Sequence, residues 1–189
     1  MTLRIGTRGS KLALAYTDQA IQSLDCDAEV VIVKTPGDID QTTPIYEMGG
    51  KGVFCSTIEQ ELLNNNIDVA VHSLKDMPGQ ETDGLSISAM LKRNSPYDVI
   101  VGKIKMDCTI GTSSPRRKAQ LLDLYDSLNI NIKPIRGNID TRLEKLDNGE
   151  YDAIVLAEAG LQALDIRRTT IKLPIVPAVG QGIIALQTR

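Results

Sequence analysis

The feature that most narrows the fold is an alternation repeated along the chain. A short β-branched or aliphatic run is followed by a turn containing Gly, Ser or Asp, and then by apolar residues at three- and four-residue steps. That order is the signature of α/β organisation. Strands are expected over residues 3–5, 29–35, 67–71, 98–101, 130–135 and 152–156, and helices over 10–24, 56–64, 114–128, 138–147 and 157–164. The 189 residues leave room for two lobes of about ninety each. The expected seam is Lys92-Arg93-Asn94-Ser95-Pro96, a polar stretch ending in Pro, which disfavours helix for the residue before it. A second seam is expected near Leu173-Pro174-Ile175-Val176-Pro177.

Apolar residues make up 42% of the chain and charged residues 24%, an ordinary balance for a soluble globular protein. No apolar run approaches the roughly 18 residues of a membrane span, so no membrane partner is expected. The first residues enter a strand-like pattern without a signal-peptide series, which makes cytoplasmic the expected location. Cys26, Cys55 and Cys108 are odd in number, far apart and without CxxC spacing, and are read as free thiols with neither a disulfide framework nor a metal site. A net charge of −3 and an aromatic content of 3%, with Phe54 the only Phe, argue against nucleic acid as a partner. Any anion site must therefore be local.

The sharpest local signal is Gly111-Thr112-Ser113-Ser114-Pro115-Arg116-Arg117-Lys118, where Ser114 suits an N-cap and Pro115 the first helical position. Three cations in a first turn oppose the helix dipole, which favours negative charge there by about 0.3–1 kcal/mol per group, so something must compensate them. Backbone N–H groups, hydroxyls and two guanidinium forks would suit a carboxylate or phosphate; a solvated basic helix start is the other open reading. Arg136-Gly137-Asn138 with Arg142 repeats the strand–turn–helix placement, as does Arg8 in Gly6-Thr7-Arg8-Gly9-Ser10, where Ser10 is the expected N-cap. Open α/β sheets bind ligands at the carboxyl ends of their strands, where all these arginines are expected.

His72-Ser73-Leu74-Lys75-Asp76-Met77-Pro78 follows another apolar run. Asp76 there suits proton transfer or stabilisation of a developing cation, and Lys75 an anionic substrate group, unless the segment is a Lys-Asp surface turn closed by Pro. His72, the sole histidine, is read as a structural residue. Gly49-Gly50-Lys51-Gly52 lacks the spacing of a phosphate-binding P-loop, because Gly52 stands where Ser or Thr is needed. Lys51 is read either as part of a mobile segment closing on an anionic ligand or as an exposed loop residue.

Seven segments in order, IGTRGSKLAL, GGKGVF, DVAVHSLKDMP, GTSSPRRKAQL, IRGNIDTRLEKL, YDAIVLAEAGL and PAVGQG, make the chain resemble the porphobilinogen deaminase (hydroxymethylbilane synthase) family. The resemblance implies an α/β fold of two lobes related to type II periplasmic binding proteins, each a mixed sheet flanked by helices, with the ligand cleft between them. Domain 1 would be discontinuous, 1–92 plus 180–189, with its last segment returning as a strand, and domain 2 would span 95–175. The implied activity is that of a transferase of porphyrin, heme and other tetrapyrrole biosynthesis. It joins four porphobilinogen units with loss of ammonia, starting from a dipyrromethane cofactor, to give linear hydroxymethylbilane.

The resemblance implies Asp76 as the catalytic carboxylate. Arg8, Lys75, Arg116, Arg117, Arg136 and Arg142 would bind the acetate and propionate groups of oligopyrrole polycarboxylates. Ser10, Ser73, Thr112, Ser113 and Ser114 would be polar binding positions, and Lys51 a lysine of the mobile loop.

The chain also departs from the family pattern. Ser56 stands where many relatives carry a second loop lysine, and Asp165-Ile166-Arg167-Arg168 is offset from the usual spacing. The family's third domain, which holds the cofactor through a Gly-Gly-Cys cysteine, is expected to be missing here, removed or separately encoded, since none of the three cysteines has that context. Covalent cofactor attachment and turnover by the chain alone are therefore not expected. The alternative reading is a non-catalytic binding protein for a small polycarboxylate.

Overall fold

The alternating runs form two five-stranded sheets in the computed structural model, which describes residues 2–40 and 52–189. One unit comprises residues up to Asn94 together with Val179–Arg189, and the other Ser95–Ala178. The first contains β1 (Leu3–Thr7), α1 (Lys11–Leu24), β2 (Ala28–Ile32), the single turn α2 (Pro36–Ile39), α3 (Ser56–Leu63), β3 (Val69–Ser73) and β4 (Ser86–Met90). The second runs β5 (Asp98–Gly102), β6 (Thr109–Gly111), α4 (Pro115–Leu124), β7 (Asn131–Lys133), α5 (Ile139–Asp147), β8 (Ala153–Ala157), α6 (Glu158–Ala163) and β9 (Thr170–Lys172). The chain then re-enters the first unit as β10 (Ile184–Thr188).

The strand orders are β2-β1-β3-β10-β4 and β7-β6-β8-β5-β9. In each, three parallel strands are followed by an antiparallel one: β10 runs against β3 and β4, and β5 against β8 and β9. That antiparallel strand is the one nearest a crossing between units, since β5 follows the first crossing and β10 the second. Helices on both faces bury the central strands. Val99, Ile154 and Leu156 pack with Leu143 and Leu161 on one face of the second sheet, while Ile100, Ala153 and Val155 pack with Leu121 and Cys108 on the other. Strands covered on both faces are aliphatic without alternation, which explains the DVIV and AIVL runs.

Element ends follow local chemistry. Ser10 Oγ accepts the Ala13 N–H at 3.2 Å to start α1, and Ser114 Oγ accepts the Arg117 N–H at 3.4 Å to start α4 behind Pro115. The run 130–135 contracts to Asn131–Lys133 because Pro134 has no N–H for the ladder. The helix expected to Leu128 stops at Leu124, and a 3-10 turn, Asp126–Leu128, completes it with Asn129 in the left-handed region. Strands β4, β6 and β9 escaped the periodicity reading because they are edge or three-residue strands whose pairing is set by neighbours.

An ion pair fastens the entry of β3 to β1. Asp68 accepts the Arg4 backbone N–H at 2.9 Å, Nε at 3.1 Å and Nη2 at 2.7 Å. These bonds, led by the Arg4 side chain, hold the Asp68 carboxyl down at about 2. The folded value lies below the unfolded one of about 3.9, so the contribution is complete above that pH and is lost as the pH falls toward 2. The stability difference between the parent and Asp68→Asn is expected to shrink over this window, which urea unfolding at neutral pH and near the lower limit checks.

Candidate functional site at the strand ends

In the first unit, β1 delivers Arg8, α1 opens at Ser10, and β3 ends at Ser73 before a 3-10 turn of Leu74–Asp76. Arg8, Ser10, Tyr16, Phe54, Ser73 and Asp76 line one pocket. Asp76 stands exposed on a turn braced by the returning segment. The Leu74 N–H donates to Ile183 O at 3.0 Å, Lys75 Nζ to Gln181 Oε1 at 3.4 Å, and Arg93 Nε to Gln181 O at 2.9 Å. Gly180 meets Leu74 so closely that a Cβ there would lie 2.8 Å from Leu74 Cγ, and its φ of +70° suits glycine.

Arg8 donates through Nε to both Asp38 oxygens, at 3.0 and 3.2 Å, and lies 4.1 Å from the centre of the Phe54 ring. The guanidinium is thereby held over an aromatic face. Burial, reinforced by the Asp76 charge, pushes the Tyr16 hydroxyl up to about 12, so it stays a neutral O–H group beside the carboxylate. Burial, then Asp76 and Glu59, likewise push the Cys55 thiol up to about 12, and Cys55 Sγ donates to Asp76 O at 3.4 Å. Tyr16, Phe54 and Cys55 were not expected as site residues; an aromatic or thiol at helical spacing carries no local mark separating pocket from core.

In the second unit, parallel pairing of β6 with β7 puts two turns at one sheet edge. Thr112 Oγ1 accepts the Ser114 N–H at 3.2 Å. Ser113 Oγ donates to Ile135 O at 2.7 Å and accepts the Ile135 N–H at 2.9 Å, tying the first turn to the segment that carries Arg136. At Gly137, with φ of +109°, a Cβ would lie 2.9 Å from Thr141 Cβ. Arg142 Nε donates to Gly137 O at 2.8 Å and Lys145 Nζ to Arg136 O at 3.4 Å, so cationic side chains close over that turn.

The cations at the start of α4 find their compensation in Asp98, whose side chain is 0% exposed. Arg116 Nη2 donates to Oδ2 at 2.6 Å, and Arg117 donates to Oδ1 through Nε at 3.0 Å and Nη2 at 2.6 Å. Arg117 Nη1 also donates to Val155 O at 3.0 Å, which ties this buried guanidinium into the sheet, whereas Arg116 remains half-buried at the helix start. Arg167 and Arg168 instead pair at the surface, with Asp165 and Asp147. Lys51 lies outside the described residues.

The sequence matches the family model described as "Porphobilinogen deaminase, dipyromethane cofactor binding domain" over residues 3–189. A porphobilinogen deaminase from Ehrlichia canis is 46% identical over all of this chain and 68% of its own length. Another from Orientia tsutsugamushi is 44% identical, again over 100% of this chain and 68% of its own. Among solved structures, a substrate-binding domain from Streptococcus pneumoniae superposes with a TM-score of 0.54 at 10% identity, covering 100% of this chain and 84% of that one. The periplasmic VFT2 domain of BvgS from Bordetella pertussis gives 0.52 at 15% identity, covering 99% and 80%. At these identities the likeness is one of fold: an α/β arrangement of the periplasmic binding type, with two mixed sheets flanked by helices.

Proposed function

Because the chain belongs to the porphobilinogen deaminase family, we propose that Asp76 is the carboxylate at which its pyrrole units are joined. The family activity makes the protein a transferase of tetrapyrrole biosynthesis, which condenses porphobilinogen with loss of ammonia to linear hydroxymethylbilane. A binding-only role is not favoured beside relatives that carry the deaminase name.

The placement of Asp76 carries this reading: an exposed carboxylate on a braced turn, in a pocket that Arg8 and Ser73 also line. When ammonia leaves the aminomethyl carbon of porphobilinogen, the pyrrole becomes electron-poor and cationic, and a carboxylate stabilises it. After a ring carbon of the acceptor attacks, a proton must leave to restore aromaticity, and the same carboxylate is a fitting acceptor. The Tyr16 hydroxyl, kept protonated by burial, is a donor beside it.

Dipyrromethane, the family's cofactor, presents carboxylate side chains and pyrrole N–H groups. The residues of the second unit fit its carboxylates: Arg116, Arg136 and Arg142 supply cations at one sheet edge, and Thr112, Ser113 and Ser114 line the adjacent turn; in the first unit, Asp76 has the chemistry of an N–H acceptor. When bound, it supplies the ring carbon that receives the first unit. Arg8 and Lys75 are assigned to carboxylates in the first unit, and Lys51 to the growing oligopyrrole. Arg117 acts through Asp98, which holds Arg116 in place.

Arg136→Ala is expected to weaken binding of an oligopyrrole polycarboxylate by about 10–100-fold, the loss of one charge-assisted contact, and to leave binding of a neutral pyrrole nearly unchanged. Calorimetry with both ligands checks this. Equal losses would make Arg136 structural.

The 189-residue chain by itself is expected to carry no covalent dipyrromethane and to form no hydroxymethylbilane. Cys108 is fully buried, Cys55 is a buried thiol held protonated, and Cys26 does not line the Asp76 pocket. A tether must react as thiolate. An intact-mass spectrum of the bare polypeptide is the expected result, and a dipyrromethane increment on any cysteine contradicts it. Three free thiols suit a reducing compartment, and we place the protein in the cytoplasm; a further domain carrying the tether is the partner this reading requires. No helix among the described residues is long and apolar enough to cross a membrane.

A further inference from the structure

Beneath the Asp76 turn lies a buried polar chain that the reaction as described does not use. Glu59 on α3 is 6% exposed; its Oε2 accepts from Thr82 Oγ1 at 2.9 Å and its Oε1 from Gln187 Nε2 at 2.9 Å. Gln187 on β10 is 1% exposed, and its Oε1 lies 3.0 Å from His72 Nε2. A carboxylate only accepts, so the Gln187 NH2 group must face Glu59 and the amide oxygen must face the imidazole. An amide oxygen also only accepts, which places the ring proton on Nε2 and leaves Nδ1 with a bare lone pair.

Among the described residues, the ring has no hydrogen bond other than that to Gln187, and no buried side-chain nitrogen or oxygen lacks a partner. Nδ1 is therefore not fully shielded, and His72, 5% exposed, lines the same pocket as Ser73 and Asp76. We infer that His72, locked as its Nε2–H tautomer by Gln187 and Glu59, presents Nδ1 to the pocket as a second acceptor for the N–H groups of the pyrrole substrate. This deepens the substrate reading and rests on it.

Burial favours the neutral ring, against the smaller opposing pull of Gln187, Glu59 and Asp76. A neutral acceptor complements the charged one. Asp76 stabilises the cation that forms when ammonia leaves, while Nδ1 accepts an N–H bond without adding a second negative charge beside the substrate's carboxylates. Gln187 lies on the strand that returns after the second crossing, so the acceptor is set only once that strand has paired with β3.

As the only histidine of the chain, His72 gives one pair of ring-nitrogen resonances, which makes ¹⁵N NMR of the histidine-labelled 189-residue protein decisive. Expected in the free protein are a protonated, pyrrole-type Nε2 and a bare, pyridine-type Nδ1. Saturating porphobilinogen, with binding followed in parallel by calorimetry, is expected to move the Nδ1 resonance toward that of a hydrogen-bonded acceptor. His72→Gln keeps an amide donor for Gln187 but has no acceptor at the Nδ1 position, and should bind porphobilinogen about tenfold more weakly. A free ring protonated on Nδ1 or on both nitrogens overturns the inference. So does an Nδ1 resonance that stays put while calorimetry registers bound porphobilinogen, an outcome that leaves the substrate reading intact. Absence of any porphobilinogen binding overturns that reading and the ligand assignment together, whereas the tautomer is read without ligand.

Discussion

Asp98→Ala is expected to destabilise the protein by about 3–5 kcal/mol, the cost of breaking a buried ion pair by removing one partner. Asp98 sits on β5, between β8 and β9, with its side chain 0% exposed, and it accepts from both Arg116 and Arg117. Arg117 has a side chain 10% exposed and would be left as a buried cation beside the Val155 carbonyl, without the Asp98 carboxylate. Asp98→Asn, which keeps the shape and part of the hydrogen bonding, should cost less. Adding Arg117→Met to Asp98→Ala should restore part of the loss, because the uncompensated charge is then gone. Chemical unfolding of the single and double variants measures all three, and a loss under about 1 kcal/mol for Asp98→Ala would show that the arginines do not depend on this anchor. Arg116 loses its carboxylate anchor by the same change and keeps only its bond to the Val176 carbonyl among those described, so weaker polycarboxylate binding should accompany the lost stability.

Asp98 also marks where a sequence stops being informative. It opens an aliphatic run and reads as the first residue of a strand, while its partners lie 18 and 19 residues downstream. The three cations at the start of α4 did announce that a counter-charge was required, but nothing local names its donor. The Ser10 and Ser114 caps and the glycine turn before Asn138 were legible because each rests on chemistry within a few residues. Pairing of β10 with β3 and β4 was not legible from periodicity, since a strand's neighbours are settled by contacts far along the chain; the family resemblance supplied that expectation. His72 was read as a structural residue, and the bond to Gln187, 115 residues away, agrees with a structural part while revealing the tautomer that the sequence could not.

Asp76→Asn is expected to lower turnover by about 10²–10⁴-fold, the range for lost acid–base or electrostatic help, and to leave folding intact. The substitution preserves shape and removes charge. The brace on the turn runs through the Leu74 N–H, Gly180 and Gln181, none of which needs the Asp76 carboxylate, and Cys55 donates to the Asp76 backbone oxygen, which Asn retains. A surface carboxylate of no function would give a variant indistinguishable from the parent in both respects. The most direct test is the rate of porphobilinogen consumption by the parent and Asp76→Asn, each joined to the cofactor-carrying domain that the family resemblance implies, with unfolding midpoints compared on the same preparations. Matched midpoints with a rate at least a hundredfold lower are the result expected for a reacting carboxylate at Asp76; matched midpoints with a near-parental rate would contradict it.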